Sequence, residues 1–124
     1  MKLQTGIVTD KLLETAEFFK TVLEFEIKFE SDWFILLHAK DRPDNELGLM
    51  LPNLPQVKHS VFQKQYQGAG IWLILESPNI EKEFERIKKL GIPFLMELTM
   101  EDWGDEHFVI IDPNGIGIDI VKER

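Results

Sequence analysis

The order of predicted strands and helices occurs twice along the chain, and this repetition restricts the fold more than any other feature of the sequence. Apolar residues recur at three- and four-residue spacing between residues 12 and 23, which is typical of an amphipathic helix. Runs of β-forming residues precede and follow that helix, at residues 3–8, 25–30, 33–38 and 47–51. The same succession begins again at residue 71. The sequence therefore predicts an α+β fold built from two βαβββ modules.

Turn and cap residues mark the elements of the second half. Pro78-Asn79 is typical of a helix start, and Gly91 is typical of the position just after a helix end. The tetrad Asp112-Pro113-Asn114-Gly115 separates two β-forming runs, residues 108–111 and 116–121. Proline fixes φ and Asn-Gly accepts positive φ, so the tetrad predicts a β-hairpin.

The predicted boundaries give one compact domain of two modules. Residues 1–51 form the first βαβββ module, residues 52–70 a linker with room for a short helix, and residues 71–124 the second module. Thr9-Asp10 is predicted to cap the first helix, and residues 40–46 to form a polar loop. Glu24 stands where a glycine is typical, and a left-handed conformation there would cost about 1 kcal/mol.

Alternation along the strands predicts two different sheet faces. One face is aliphatic and should be covered by the helices: Leu47, Leu49, Leu51, Ile71, Leu73, Leu75, Ile116, Ile118 and Ile120. The opposite face, which we call the mixed face, combines small, large and polar residues: Gln4, Gly6, Val8, Gly48, Met50, Trp72, Ile74, Glu76, Gly117, Asp119 and Val121. This composition is typical of a curved sheet that lines a cavity, in which the glycines leave room for a ligand. The alternative is that the mixed face contacts a partner subunit.

The composition narrows the class of partner. The chain has 22 Asp and Glu residues against 14 Lys and Arg residues, a net charge of −8. This charge repels nucleic-acid phosphates and favours cationic ligands or simply solubility, so we expect no nucleic-acid partner. The absence of cysteine excludes disulfides, thiolate chemistry and cysteine-type zinc sites. The sequence lacks both a membrane-length apolar run and the apolar region of a signal peptide, so we expect no membrane partner and a cytoplasmic location.

Four short motifs follow one another in a recognisable order. They are residues 18–25 (Phe-Phe-Lys-Thr-Val-Leu-Glu-Phe), residues 87–93 (Ile-Lys-Lys-Leu-Gly-Ile-Pro), Trp103-Gly104, and the tetrad of the hairpin. With these motifs the chain resembles the vicinal oxygen chelate superfamily, which includes glyoxalases, bleomycin-resistance proteins, fosfomycin-resistance enzymes and extradiol dioxygenases. The resemblance covers essentially the whole chain. It implies two modules whose strands form a curved, mixed eight-stranded sheet with helices on the outer face, and a homodimer.

The resemblance also bears on a metal cofactor. Metal-dependent members take one ligand from each of four strands, and the motifs place Gln4, Gly48, Trp72 and Asp119 at those positions. Glycine and tryptophan side chains cannot ligate a metal, so we predict no metal cofactor; a divalent metal is the disfavoured alternative. A shifted register would leave a site of Gln4, His107 and Asp119 as another possibility.

The remaining chemistry favours binding over catalysis. Tryptophan faces and carboxylates in an acidic protein suit planar or cationic organic ligands. We predict ligand binding by eight residues and assign no catalytic residue: Gln4, Trp33, Met50, Trp72, Glu76, Trp103, His107 and Asp119. The leading hypothesis is a bleomycin-resistance-like protein that binds a small organic ligand in the sheet cavity without a metal. Its alternatives are a metal-dependent lyase, isomerase or dioxygenase, and a non-catalytic interaction module whose tryptophans fill the cavity.

Overall fold

Eight strands and two α-helices follow one another in the predicted order, β-α-β-β-β in each half of the chain. The structure is a computed structural model that describes all 124 residues. Its elements are β1 Gln4–Val8, α1 Leu12–Leu23, β2 Glu26–Glu30, β3 Phe34–Ala39, β4 Arg42–Met50, β5 Trp72–Ser77, α2 Ile80–Lys88, β6 Met96–Met100, β7 Glu106–Ile111 and β8 Gly117–Lys122, with a 3-10 helix at Ser60–Phe62. The chain divides into two compact units, the first Met1–Gln67 and the second Gly68–Arg124.

Each unit contains one four-stranded mixed sheet, and the strand order is the same in both. The first sheet has the order β1-β4-β3-β2 and the second β5-β8-β7-β6. The first and last strands of each module pair in parallel, β1 with β4 and β5 with β8, and the other neighbours are antiparallel. The α+β fold with two βαβββ modules is confirmed, and its eight strands are hydrogen-bonded as two sheets of four.

In the first unit, α1 packs on the aliphatic face of the sheet, against β3 and β4. Its stripe buries Leu12, Ala16, Phe19 and Val22. The strands oppose it with buried Ile35, Leu37, Leu47 and Leu49. Burial of these side chains stabilises the unit, since each fully buried aliphatic residue contributes about 1.5–3 kcal/mol.

In the second unit, α2 packs on β7 and β8 in the same way. The rings of Phe84, Phe94 and Phe108 form a cluster whose centroids lie 4.9–5.7 Å apart. The predicted aliphatic residues in and just before β8 are buried, as are those of α2: Ile116, Ile118, Ile120, Ile80 and Ile87. In the run around β5, Leu73 and Leu75 are half-buried, and Ile71 exposes 65% of its surface just before the strand begins.

The helix ends differ in how well the sequence predicts them. Asn79 caps α2 as predicted: its side chain accepts a hydrogen bond from the Lys82 amide at 3.2 Å. For α1 the predicted cap is wrong, because Lys11 occupies the cap position and the Thr9 hydroxyl accepts instead from the Lys11 amide at 2.9 Å. Glu24 ends α1 in the left-handed conformation, with φ of 59°.

The polar loop predicted over residues 40–46 is wrong at its C-terminal side. Only Lys40 and Asp41 form the turn, and β4 begins at Arg42. Ala39 pairs with Arg42 and His38 with Glu46, so residues 43–45 form an irregularity opposite β3. Pro43 is tolerated there because a bulged strand position needs no ladder N–H.

The segment after β4 contacts the end of β1. The Tyr66 amide donates to the Val8 carbonyl at 2.9 Å, and the Asp10 amide donates to the Gln65 side chain at 3.2 Å. The segment contains the 3-10 helix. Neither α-helix of the protein combines the length and the apolar character that a membrane span requires.

Candidate functional site

The mixed face of the second unit is organised in three rows across β5, β8 and β7. Strand residues in register point to the same side of a sheet. The rows are Trp72–Gly117–Ile111, Ile74–Asp119–Val109 and Glu76–Val121–His107. The opposite face of the same strands carries the buried core, so these rows face away from α2. The register places four of the predicted ligand-binding residues on one face.

Large apolar side chains on and beside this face are exposed. Trp72 and Ile74 each expose 57% of their surface, and Trp103, in the loop between β6 and β7, exposes 69%. Folded monomers rarely expose large contiguous apolar surfaces, and those that do usually use them to bind a ligand or a partner.

His107 lies between two carboxylates at the end of the third row. Its Nδ1 is 2.7 Å from Asp119 Oδ1, and its Nε2 is 3.4 Å from Glu101 Oε1. Burial opposes the charged imidazolium, but the hydrogen bonds and charges of Asp119 and Glu101 outweigh it, so the pKa of His107 lies above its ordinary value. The cluster therefore favours an imidazolium with a carboxylate on each side.

Trp103 stands beside this cluster and is fixed through its ring nitrogen. Its indole N–H donates to Asp105 Oδ2 at 2.9 Å, and Arg124 donates to Asp105 Oδ1 at 2.5 Å. The hydrogen bond from Arg124, followed by that from Trp103, holds the pKa of Asp105 below its ordinary value. The Trp103 ring meets the His107 ring at a centroid distance of 6.5 Å and an interplanar angle of 68°.

The mixed face of the first unit has a different polar centre, the buried carboxylate of Glu46. Gln4 Nε2 donates to Glu46 Oε1 at 2.6 Å, Lys28 Nζ lies 3.0 Å from Oε2, and Lys2 also pairs with Oε1. Hydrogen bonds from Lys2, Lys28 and Gln4 lower the pKa of Glu46 to about 2. This carboxylate is thus kept ionised by three neighbours.

The other predicted residues of the first unit lie apart from that centre. Met50 is half-buried and in register with Val8 and Phe34. Trp33 precedes β3, and its carbonyl accepts from the Leu51 amide at 3.0 Å. Gly48 does not leave room: a Cβ there would lie 3.2 Å from the Phe34 ring, which fills the space.

A surface depression of about 670 Å³ opens at the start of α1, and none of the predicted ligand-binding residues lines it. It is lined by Asp10, Lys11, Leu12, Leu13, Glu14, Ser31, Asp32 and Leu51. Its lining includes no aromatic residue, so it lacks the stacking surfaces present in the second unit.

The structure joins some of the predicted site residues directly and shows partners that the sequence did not predict. His107, Asp119 and Trp103 form one contiguous group. Glu76 lies in the same row as His107, whereas Trp72 lies at the opposite end of β5. The partners that sequence reasoning missed are Glu46, Glu101, Asp105 and Arg124. For Glu101 and Asp105, the only signal in the sequence was their closeness to Trp103-Gly104. That closeness does not indicate which carboxylate bonds His107 and which bonds Trp103.

The side chains at the four expected ligand positions do not fit a metal. Gly48 offers no donor atom and the Trp72 indole offers only an N–H. The remaining two positions supply one carboxylate, Asp119, which also bonds His107, and one amide oxygen, that of Gln4, and these do not make a metal-binding shell. No group of three or more His, Asp and Glu side chains is arranged to hold a metal ion. These positions therefore do not fit a metal, and the lack of a metal cofactor stays a prediction.

Comparisons with known proteins agree with this architecture. Solved structures with the same fold include a member of the glyoxalase/bleomycin resistance protein/dioxygenase superfamily from Sphaerobacter thermophilus, with 19% identity, a TM-score of 0.76 and coverage of 99% of this chain and 97% of that one. Lactoylglutathione lyase from Agrobacterium tumefaciens has 16% identity, a TM-score of 0.77 and coverage of 98% and 92%. TioX from Micromonospora sp. has 11% identity, a TM-score of 0.73 and coverage of 100% and 99%.

The sequence itself decides the family. A search of curated proteins gave no match. The family model described as Glyoxalase/Bleomycin resistance protein/Dioxygenase superfamily matches residues 3–120. The match spans both βαβββ modules and confirms the resemblance carried by the four motifs. The chain belongs to the glyoxalase/bleomycin resistance protein/dioxygenase superfamily.

Proposed function

We propose that the protein binds a small planar organic cation on the mixed face of its second unit, without a metal. The observation that carries the proposal is the pairing of two exposed indoles, Trp72 and Trp103, with carboxylates on and beside the same face. A π-face and a nearby negative charge are the two features by which proteins recognise planar organic cations.

The charges of the site support a cation over an anion. The imidazolium of His107 offsets only one of the two carboxylates that hold it, Asp119 and Glu101. Glu76 adds a further exposed carboxylate on the same face, while Arg124 is engaged by Asp105. The net charge of −8 adds a long-range attraction for cations.

The superfamily also includes enzymes, and a metal-dependent lyase, isomerase or dioxygenase is the competing function. The donor atoms argue against it, since two of the four expected ligand positions carry glycine and tryptophan. The third possibility, an interaction module with a filled cavity, predicts buried tryptophans, whereas Trp72 and Trp103 are exposed.

Two further parts of the proposal come from the sequence and the family. We expect a cytoplasmic homodimer. Sedimentation equilibrium tests the dimer: a single species of twice the chain mass of 14.5 kDa is expected, and a monomer at micromolar concentration would contradict it.

Calorimetry with a matched pair of bicyclic probes tests the binding proposal. Chelator-treated protein should bind 1-methylquinolinium, a planar cation, and should bind naphthalene-1-sulfonate, a planar anion of similar size, far more weakly. Trp72→Ala and Trp103→Ala should each weaken cation binding by about 2- to 30-fold, the range expected from a lost cation–π contact of about 0.5–2 kcal/mol.

Leu90→Ala is the matched control, because Leu90 follows α2 in the same unit and exposes 48% of its surface. It should leave cation binding unchanged. Equal affinity for the two probes, or cation binding that survives both tryptophan substitutions, would rule the proposal out.

A further inference from the structure

Trp103 combines an exposed ring with an occupied nitrogen. The side chain lies in the most open part of the site, yet its only hydrogen-bonding group, the indole N–H, already donates to Asp105 Oδ2. The second oxygen of that carboxylate accepts from Arg124. One carboxylate thus links an exposed aromatic ring to a guanidinium that follows β8.

Two backbone hydrogen bonds also hold the loop that contains Trp103. The Glu101 amide donates to the Asp105 carbonyl at 2.8 Å, and the Gly104 amide donates to the Glu101 carbonyl at 3.0 Å. Gly104 has φ of 103°, a conformation that side-chain-bearing residues rarely adopt. These contacts fix the loop backbone, and the Asp105–Arg124 pair fixes the indole that projects from it.

We propose that Asp105 and Arg124 are positioning residues that hold the Trp103 indole as a rigid stacking platform. The proposal rests on the proposed ligand-binding function of the second unit and refines it. Neither residue needs to touch the ligand. They act by removing rotational freedom from Trp103 before the ligand arrives, so that less entropy is lost on binding.

The same arrangement restricts the kind of ligand. Because the indole N–H is engaged, Trp103 offers a ligand its π-face and no hydrogen bond. A ligand gains at this position through planarity and positive charge, and gains nothing from an acceptor atom directed at the ring nitrogen. The His107 ring, held edge-on to Trp103, limits one side of the platform.

Nuclear magnetic resonance of the intact protein tests the positioning without any ligand. With ¹⁵N-tryptophan labelling, the protein should show three indole N–H signals, one for each tryptophan. The signal that is lost in Trp103→Phe is that of Trp103. In the unchanged protein the heteronuclear NOE of the Trp103 indole should match that of rigid backbone amides. Asp105→Ala and Arg124→Gln should lower it.

Conservative variants separate positioning from general structure. Arg124→Lys keeps a cation near Asp105 and should restore part of the NOE. Lys122→Gln removes a charge at the end of β8 that has no contact with Asp105. This substitution should leave the NOE of the Trp103 indole unchanged. An unaltered Trp103 signal in Asp105→Ala would overturn the positioning role.

Affinity for 1-methylquinolinium gives the second measurement. Asp105→Ala and Arg124→Gln should weaken binding by about 2- to 10-fold, as expected for the added cost of ordering one side chain. A lowered NOE with unchanged affinity would overturn the role in binding. If the unchanged protein does not bind the cation, the proposed function fails, and the NOE alone decides whether Asp105 and Arg124 position Trp103.

Discussion

His107 brings together carboxylates that lie 12 and 6 positions away in the chain, Asp119 and Glu101. The sequence grouped His107 with Asp119 only in the alternative with a shifted register, whereas the structure joins them through the pairing of β7 with β8. Glu101 could not be assigned in this way, since a loop residue follows no alternation. Asp105 and Arg124 escaped prediction for the same reason.

The raised pKa of His107 makes part of the stability depend on pH. A group with a raised folded-state pKa stabilises the fold fully below its unfolded value, 6.5, and this contribution is lost as pH rises through the folded-state pKa. His107→Gln should therefore be most destabilising below pH 6.5, with a smaller difference in the free energy of unfolding at higher pH.

Urea denaturation at a series of pH values measures this difference. His59→Gln is the control, because His59 is exposed in the segment after β4 and bonds only locally. A difference for His107→Gln that grows as pH rises would contradict the assignment of an imidazolium between two carboxylates.

Glu46 gives the opposite dependence in the first unit. Its pKa is lowered from 4.5 to about 2, so its stabilising contribution is present above pH 4.5 and is lost as pH falls towards 2. Glu46→Gln should destabilise the protein at neutral pH, and the difference from the unchanged protein should shrink across that interval. Acid denaturation curves of both proteins check this, and a difference that stays constant down to pH 2 would contradict it.

At the scale of elements, turn chemistry and periodicity predicted most of the fold. The hairpin at Asp112-Pro113-Asn114-Gly115 and the start of α2 are where the residues indicate, since their signals are local. The first residues of β4, from Arg42, were not predicted as a strand because their sequence is polar and contains a proline. They form a strand because they pair with β3, where Ala39 lies opposite Arg42. The predicted cap of α1 was wrong because the Thr9 hydroxyl accepts from the Lys11 amide, which precedes the first turn of the helix.

The start of α2 depends on the Asn79 side chain. Asn79→Ala removes the acceptor for the Lys82 amide and should lower the free energy of unfolding by about 1 kcal/mol. Asn79→Ser keeps a capping oxygen and should cost much less. Thermal denaturation compares the two variants, and equal losses would show that the cap does not stabilise the helix.

The ring cluster beneath α2 makes a larger contribution. Phe108 is fully buried and touches both Phe84 and Phe94, so Phe108→Ala should cost about 3–5 kcal/mol through lost burial and a cavity. Phe29 exposes 55% of its surface, and Phe29→Ala should cost less than about 1 kcal/mol. Guanidinium denaturation measures both, and similar values for the two would contradict the placement of the core.

At the scale of the whole molecule, one module plan is used twice with different polar chemistry. Both units have a parallel pair between their first and last strands and a helix on the aliphatic face. On the mixed face the first unit buries Glu46 among cations, whereas the second presents indoles beside carboxylates. The repeat was predictable from periodicity; which unit carries the more accessible aromatic surface was not, because exposure depends on packing.

Chemical-shift mapping tests the binding claim most directly. Chelator-treated, ¹⁵N-labelled protein is titrated with 1-methylquinolinium, and the shifts are followed for every assigned amide and indole. We expect the largest changes at Trp72, Trp103, His107 and Asp119, with no divalent ion added. Changes confined to the depression at the start of α1, or changes that occur only after a divalent metal is supplied, would contradict metal-free binding on the mixed face of the second unit.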